Sequence, residues 1–158
     1  MTAESETPDP EAPDPETLDP ATSEPPAGDW ERVEDAGFIA HVGPLYARPA
    51  DGAYAFRADR RHANLIGVVH GGMLMSVADR AMGLAAMRAA EGANCVTIQL
   101  ETKFIDAGRI GDWLVVEPQV MRRTASLVFV RAELRESGRL VATADGVWKI
   151  LRRRPASD

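Results

Sequence analysis

The hydrophobic pattern is clearest between Gly71 and Ala90, where apolar residues recur at helical spacing. One helical face carries six apolar residues: Leu74, Val77, Ala78, Ala81, Leu84 and Ala85. Methionines make much of the remaining surface apolar too. A helix that is apolar on nearly all sides is covered by other parts of its structure. The pattern therefore predicts a long helix at the centre of the fold.

Shorter elements are predicted ahead of this helix. Trp30–Ala36 has the composition of a short helix, with Asp29 as its N-cap and Gly37 beyond its end. Leu45–Arg48 and Ala53–Ala58 are typical of two strands on either side of a turn that contains proline and glycine. We therefore expect one short helix and two strands before the long helix.

Four extended segments follow the long helix: Val96–Phe104, Trp113–Met121, Leu127–Arg135 and Leu140–Ile150. The first alternates apolar and polar residues, as a half-buried strand does. Pro118 in the second indicates an edge or a bulge, and the spacing of the last two predicts a hairpin. The last segment carries Ala142, Ala144 and Gly146 on one face, which allows a helix to pack closely.

This element order predicts an α+β fold in which one long helix is wrapped by a single curved antiparallel sheet. The sheet covers much of the helix, and a second subunit is expected to cover what remains. The chain length of 158 residues fits one domain. We place that domain at residues 30–151, between an N-terminal tail, 1–29, and a C-terminal tail, 152–158.

The N-terminal tail differs sharply in composition from the rest of the chain. Residues 1–29 contain seven prolines and nine acidic residues, and neither lysine nor arginine. Such a segment cannot bury enough apolar surface to offset the entropy lost on ordering, so we predict that it is disordered. It also lacks the basic start and apolar run of a signal peptide.

The net charge of −6 belongs to this tail, because the other 129 residues hold 18 basic and 15 acidic residues, a net charge of about +3. A mildly basic domain suits an anionic small molecule and is too weakly charged to indicate nucleic acid. No apolar run is long enough to span a membrane. The single Cys95 excludes an internal disulfide, and a cytoplasmic location is expected. No group of residues indicates a metal site.

Asp79 is the unexpected residue of the long helix, because an isolated carboxylate in an apolar setting is costly unless it is paired or used. Arg80 and Arg88 are candidate partners. Residues i and i+1 do not face each other on a helix, so Arg80 of the same chain is a poor one. The helix pattern therefore leaves two explanations open, a structural pair with Arg88 or a functional use of the carboxylate.

A motif links this carboxylate to a known family. The pattern Asn64-x-x-Gly67-x-Val69-His70-Gly71-Gly72, followed by Asp79-x-Ala81-x-Gly83, resembles the signature of hotdog-fold acyl-CoA thioesterases. The most similar group is the phenylacetic-acid-degradation type, related to 4-hydroxybenzoyl-CoA thioesterases. The resemblance implies hydrolysis of acyl-CoA without a cofactor. Where many relatives carry a Gly-Arg turn, this chain has Met121-Arg122-Arg123-Thr124, without the glycine.

The resemblance assigns catalytic roles to five residues. It makes Asp79 the general base or nucleophile, and the Gly71 N–H the donor of an oxyanion hole. The amides that begin a helix have no internal partner, and Gly71 and Gly72 let a carbonyl approach closely. Thr97 would hold the attacking water, Asn64 would lie near the water or the acyl group, and His70 would orient its neighbours by hydrogen bonding.

Arginines are the candidate ligands for the phosphates of coenzyme A, because a guanidinium binds phosphate well. The candidates are Arg122 and Arg123, near the middle of the sheet region, and Arg152 with the two arginines that follow it. The alternative for each single arginine is an ordinary surface residue whose charge is solvated.

Helix geometry indicates that the site is shared between subunits. Eight residues separate Gly71 from Asp79, or about 12 Å along one helix. One carbonyl cannot easily reach both groups of the same helix, whereas two antiparallel copies bring Gly71 of one chain near Asp79 of the other. We expect a homodimer at least, and a homotetramer built as a dimer of dimers.

Two other functions fit the same fold class. One is hydration or dehydration of enoyl thioesters, but the loop that begins at Asn64 lacks the neighbouring Asp and His that such relatives carry. The other is a catalytically silent acyl-CoA-binding module. The presence of Asn64, Gly71 and Asp79 together argues against this silent module, so hydrolysis is the leading hypothesis.

Overall fold

The computed structural model of the chain describes residues 25–151, which form one antiparallel sheet and two α-helices. The strands are β1 (Glu31–Arg32), β2 (Tyr46–Arg48), β3 (Ala53–Arg57), β4 (Cys95–Phe104), β5 (Trp113–Arg123), β6 (Leu127–Glu136) and β7 (Arg139–Ile150). The helices are α1 (Gly37–Val42) and α2 (Gly71–Ala89), with a 3₁₀ turn at Arg60–His62. The strand order is β1-β2-β3-β5-β6-β7-β4. Neither α-helix is long and apolar enough to cross a membrane.

The sheet wraps α2, as the element order predicts. The helix contacts five strands, β3 to β7. Its buried residues are Met73, Leu74, Val77, Ala78, Ala81, Met82, Ala85 and Ala86. On the sheet side they meet large buried side chains such as Phe56, Leu114 and Trp148. Burying a large apolar side chain stabilises a fold by about 1.5–3 kcal/mol, so this layer supplies most of the stability.

The second half of the chain closely follows the predicted strands. β6 and β7 form the expected hairpin, and Ser137 and Gly138 at its tip both have positive φ, the geometry that matches strand twist. The small residues on β7 do admit the helix. A Cβ at Gly146 would lie 2.7 Å from the Trp148 ring, and that ring in turn packs against Gly83 of α2.

Pro118 lies on an edge, one of the two predicted alternatives. β5 pairs with β3 only as far as Val116, and beyond that point it pairs with β6 alone. A missing N–H at Pro118 therefore leaves no strand partner unsatisfied. The bulge of β5 falls further along, between Val120 and Arg122.

The predicted helix at Trp30–Ala36 is wrong. Glu31 and Arg32 instead pair with β2 as a short edge strand, and the helix starts at Gly37, where the prediction ended it. Tertiary contacts override the weak local preference here. The Trp30 ring lies under the guanidinium of Arg48, which is 4.7 Å from the ring centroid.

The simple alternation predicted for Val96–Phe104 is also wrong. Between Thr97 and Gln99 the register of β4 against β7 shifts by one residue, so Ile98 is an extra residue in a bulge. A bulge reverses which face each later residue occupies. As a result Cys95 and Leu100, five residues apart, both pack on the core, while Val96 and Ile98 are 44% and 57% exposed.

The described chain begins in contact with the sheet. The Trp30 indole N–H donates to the Pro26 carbonyl, and the Arg48 side chain donates to the Ala27 carbonyl at 3.2 Å. The tail predicted at 1–29 lies outside the described residues up to position 24, and so does the C-terminal tail at 152–158. The domain boundaries therefore stay a prediction.

These contacts predict how truncation affects stability. We expect a chain that starts at Pro25 to keep the thermal midpoint of the full protein. A chain that starts at Glu31 loses the Trp30–Arg48 contact, a half-buried cation–π pair. Such a pair contributes about 0.5–2 kcal/mol, so the midpoint should fall by a few degrees. Differential scanning calorimetry tests this. A fall of the same size on removing residues 1–24 alone would contradict it.

Candidate active site

The start of α2 presents two backbone amides in different states. His70 caps the helix, since its Nδ1 accepts the Gly72 N–H at 2.8 Å and its carbonyl accepts the Met73 N–H at 2.9 Å. The Gly71 N–H has no acceptor within residues 25–151. It points out at the positive end of the helix dipole, where negative charge is favoured. Of the two glycine amides, therefore, only that of Gly71 is free to bind an oxyanion.

The ring of Phe104 lies directly beside this amide. A Cβ placed on Gly71 would sit 3.0 Å from the ring, closer than ordinary contacts allow. Phe104 comes from the end of β4 and is half exposed. The predicted alternation of β4 groups Phe104 with Val96 and Ile98, which are exposed. It therefore does not indicate that Phe104 contacts Gly71. A side chain at position 71 would have to displace this ring, so glycine permits the close packing and leaves the amide accessible.

Asp79 and Thr97 are brought together, as predicted. The Thr97 hydroxyl donates to Oδ1 of Asp79 at 2.7 Å. The bulge at Ile98 is what turns Thr97, which the sequence placed on the polar face, toward α2. Asp79 is only partly buried, and it shares its helix face with the exposed Gly72 and Met75. This face of α2 is the part that the sheet leaves uncovered.

The two proposed structural partners of Asp79 are engaged elsewhere. Both Nε and Nη2 of Arg80 donate to Oδ1 of Asp35, the Nε bond at 2.8 Å. Arg88 donates to the Tyr54 hydroxyl at 3.1 Å. Within residues 25–151 Asp79 forms no ion pair, so a structural salt bridge does not explain this carboxylate.

Asn64 organises the loop that leads to α2. Its side-chain oxygen accepts the backbone N–H groups of Ile66 and Val68, at 3.0 and 3.2 Å. Gly67 has a φ of +82°, a conformation that glycine adopts without strain. In the motif, therefore, these two residues shape the backbone ahead of His70.

His62 supports the same loop from the interior. Its Nδ1 accepts the Asp59 N–H at 2.9 Å, so Nε2 carries the proton and donates to the Val42 carbonyl at 2.7 Å. Its own carbonyl accepts the His70 N–H at 2.7 Å. Burial lowers the pKa of His62 below its usual 6.5, although the Val42 carbonyl and Asp59 oppose the shift. No sequence motif includes His62, and its contacts make its role structural.

The arginines predicted for coenzyme A lie away from the helix start. Arg122 is exposed, and Arg123 binds Glu91 at 2.8 Å, just past the C-terminal end of α2. Twelve residues separate Asp79 from Glu91, which is about 18 Å of helix. Arg152 lies outside the described residues.

The predicted residues therefore form two groups within one chain. Thr97 and Asp79 form one group, named the acid–base group after its predicted role. His70 with Gly71 forms the other, named the oxyanion group in the same way, about 12 Å away along α2. No cluster of three potential metal ligands occurs among the described residues.

Comparison with known proteins decides the family. The model of the thioesterase superfamily matches residues 66–143, which include the start of α2, Asp79 and Thr97. A protein of Pseudomonas aeruginosa named "Putative esterase PA0474" is 34% identical over 113 residues, which cover 69% of this chain and 84% of that protein. The chain belongs to the thioesterase superfamily. It is a thioester hydrolase, as the motif resemblance predicts.

More distant relatives agree with this assignment. Human acyl-coenzyme A thioesterase 13 is 24% identical over 118 residues, 73% of this chain and 81% of that protein. The fold matches that of the BH2602 protein of Bacillus halodurans, solved with CoA, with a TM-score of 0.66 at 20% identity. That match covers 74% of this chain and 78% of the other, and it confirms the predicted hotdog fold.

The neutral state of His62 predicts a pH dependence of stability. Because the native pKa lies below the unfolded value of about 6.5, the unfolded chain binds more protons as the pH falls below 6.5. The contribution of His62 to the free energy of unfolding should therefore be fully present above that pH and should be lost progressively below it. Urea denaturation between pH 5 and 7.5 measures this slope.

A pair of variants isolates the contribution of His62. His62→Gln cannot titrate and should flatten the slope, whereas His41→Gln, at an exposed position of α1, should leave it unchanged. Equal slopes for the two variants would show that another group causes the dependence.

Proposed function

We propose that this thioesterase hydrolyses acyl-CoA, at a site that two copies of the chain build together. The observation that carries the proposal is the Thr97–Asp79 hydrogen bond on the uncovered face of α2. A carboxylate without a cationic partner, oriented by a hydroxyl and open to solvent, is suited to act as a base or nucleophile. The relatives named for acyl-CoA and solved with CoA support this substrate class.

The reaction needs the oxyanion group as well. Attack on the thioester carbon places negative charge on the carbonyl oxygen, which the free Gly71 N–H at the helix start can stabilise. Asp79 either accepts a proton from the water that attacks the thioester, or itself attacks to form a mixed anhydride, which water then hydrolyses to the free acid and the restored carboxylate. The sulfur leaves as the CoA thiolate and takes up a proton. In this scheme Thr97 holds one carboxylate oxygen, which leaves the other for the reaction.

The edge strand β4 can pair with its copy in a second chain, and this pairing would build the shared site. β4 is the outermost strand at one end and carries the exposed apolar residues Val96 and Ile98. A long apolar edge strand of this kind pairs readily with another strand. Antiparallel pairing of two β4 strands by a twofold axis also makes the two α2 helices antiparallel, which is the arrangement that the site requires.

The contacts of β4 even indicate a register. If the axis passes between Leu100 and Glu101, Thr97 of one chain lies opposite Phe104 of the other. Thr97 contacts Asp79 and Phe104 contacts Gly71 within each chain. This register therefore moves the oxyanion group of one copy toward the acid–base group of the other. Association of two such dimers into a tetramer remains a prediction.

We further propose that Asn64 and His70 act by shaping the backbone beside the substrate, and that Gly72 gives it room. Arg122 and Arg123, with Arg152, would bind the CoA phosphates. The Arg123–Glu91 pair is exposed, and exposed pairs contribute about 0–1 kcal/mol, so a phosphate can displace the glutamate.

Loss of the carboxylate tests the catalytic assignment. Asp79→Asn keeps the shape of the side chain and the hydrogen bond to Thr97 but removes the basic oxygen. We expect kcat for acyl-CoA hydrolysis to fall by roughly two to four orders of magnitude, with the fold retained. Asp145→Asn, at an exposed position of β7, serves as the control and should keep normal activity. Near-normal turnover of Asp79→Asn would make Asp79 structural.

Mixing two inactive variants tests the shared site. Gly71→Val should block the oxyanion amide, since its side chain would meet Phe104. When subunits of Asp79→Asn and Gly71→Val exchange, one site of each heterodimer contains both intact groups. Random pairing makes half of the dimers mixed, so about one quarter of the wild-type activity should return. A mixture that demonstrably exchanges subunits and stays inactive would refute sharing.

Removal of the arginines tests the binding of the nucleotide. Replacing Arg122, Arg123 and the cluster 152–154 by alanine should raise KM for an acyl-CoA with little change in kcat, because these contacts are the same in ground and transition states. Arg131→Ala, on the exposed part of β6, is the matched control. The idea is untenable if a thioester without the nucleotide has the same KM as the CoA ester.

A further inference from the structure

Glu136 is a buried carboxylate that the proposed mechanism does not use. It ends β6, and its side chain is 2% exposed. Among the described residues only His62 and Glu136 are both polar or charged and buried. Removing a carboxylate from water is costly unless hydrogen bonds and opposite charge compensate for it. Its partners therefore show what the residue holds in place.

Those partners belong mainly to the segment 105–112, which connects β4 to β5. Oε2 of Glu136 accepts the backbone N–H of Arg109 at 2.7 Å, and Oε1 accepts Nη2 of Arg139 at 2.6 Å. The same nitrogen of Arg139 donates to the Ala107 carbonyl at 2.9 Å. Asp112, in this segment, has a raised pKa because of burial and then of the negative charge and hydrogen bond of Glu136. The carboxylate thus ties the segment to the β6–β7 hairpin.

The same segment also holds the chain immediately ahead of α2. The Val69 N–H donates to the Gly108 carbonyl at 2.8 Å, and Val68 pairs with Arg109 in an isolated β-bridge. The packing is tight, since a Cβ on Gly108 would lie 3.2 Å from Val69. Val69 is followed directly by the helix cap His70.

We propose that Glu136 is a positioning residue for the oxyanion amide. Its carboxylate fixes the Arg109 amide, Arg109 and Gly108 fix residues 68 and 69, and these set where the Gly71 N–H begins the helix. This inference rests on the proposed function and adds to it a residue that does not touch the substrate. A displacement of about 1 Å at a reacting group can reduce the rate by about a hundredfold, so such support matters for turnover.

The direct test is Glu136→Gln, with Glu133→Gln as its control. Whichever way the new amide turns, its NH₂ group faces a donor, either the Arg109 N–H or the Arg139 side chain. Glu133 lies on the same strand but is exposed, and it pairs with Arg135. We expect Glu136→Gln to lower kcat by about ten- to a hundredfold with KM nearly unchanged. Glu133→Gln should change neither.

A second variant reaches the same contact from the other side. Gly108→Ala pushes against Val69 and against the buried Leu114 without altering Glu136, and through Val69 it should lower kcat in the same way. If both act through the placement of Val69, their effects on kcat in the double variant should be clearly smaller than the product of the single effects. Hydrogen exchange of the Val69 amide should speed up in each single variant and stay unchanged in Glu133→Gln.

The outcomes separate the two proposals. If the wild-type chain hydrolyses no acyl-CoA, the proposed function fails, while the exchange measurement still tests the link from Glu136 to Val69. If the wild type is active and Glu136→Gln matches Glu133→Gln in kcat and in exchange, the positioning role is refuted. Should Glu136→Gln not fold, Gly108→Ala decides alone, and an unchanged kcat in that variant overturns the inference.

Discussion

The packing of α2 inside the sheet is the constraint on which the rest of the structure depends. Five strands contact this helix, and eight of its side chains are buried. Because the sheet cannot close around the helix completely, one face stays uncovered, and that face carries Asp79. The Asp79 carboxylate can therefore lie on a core helix and still be partly exposed, as its proposed role requires.

The bulge in β4 orients Thr97 toward Asp79. Without the bulge at Ile98, Thr97 would point away from α2 and Asp79 would lose its hydrogen-bond donor. Because of this bulge Thr97 and Phe104, seven residues apart, face the same side of the sheet, where Phe104 lies beside Gly71. Bulges often redirect side chains next to functional sites, and here a single extra residue aligns both ends of the site with one strand.

Neighbouring charged and polar groups of α2 are paired with partners other than Asp79 and the Gly71 amide. Arg80 follows Asp79 in the helix, yet its guanidinium is bound by Asp35, which comes from the segment before α1. Arg80 therefore does not pair with Asp79. At the other end of the site, His70 occupies the Gly72 amide and leaves the Gly71 amide free, so the cap itself selects the donor.

The sequence by itself determined the long apolar helix, the antiparallel strands after it and the motif from Asn64 to Asp79, because periodicity and the chemistry of single residues are local properties. Only the tertiary structure decided the edge strand in place of a helix at Trp30, the bulge that turns Thr97, the Arg80–Asp35 pair and the network around Glu136. Each of these depends on a partner that is distant in the chain, such as Asp35 for Arg80 (45 residues away) or Arg109 for Glu136 (27 residues away), or on the register between strands. Spacing along the chain carries no information about such contacts.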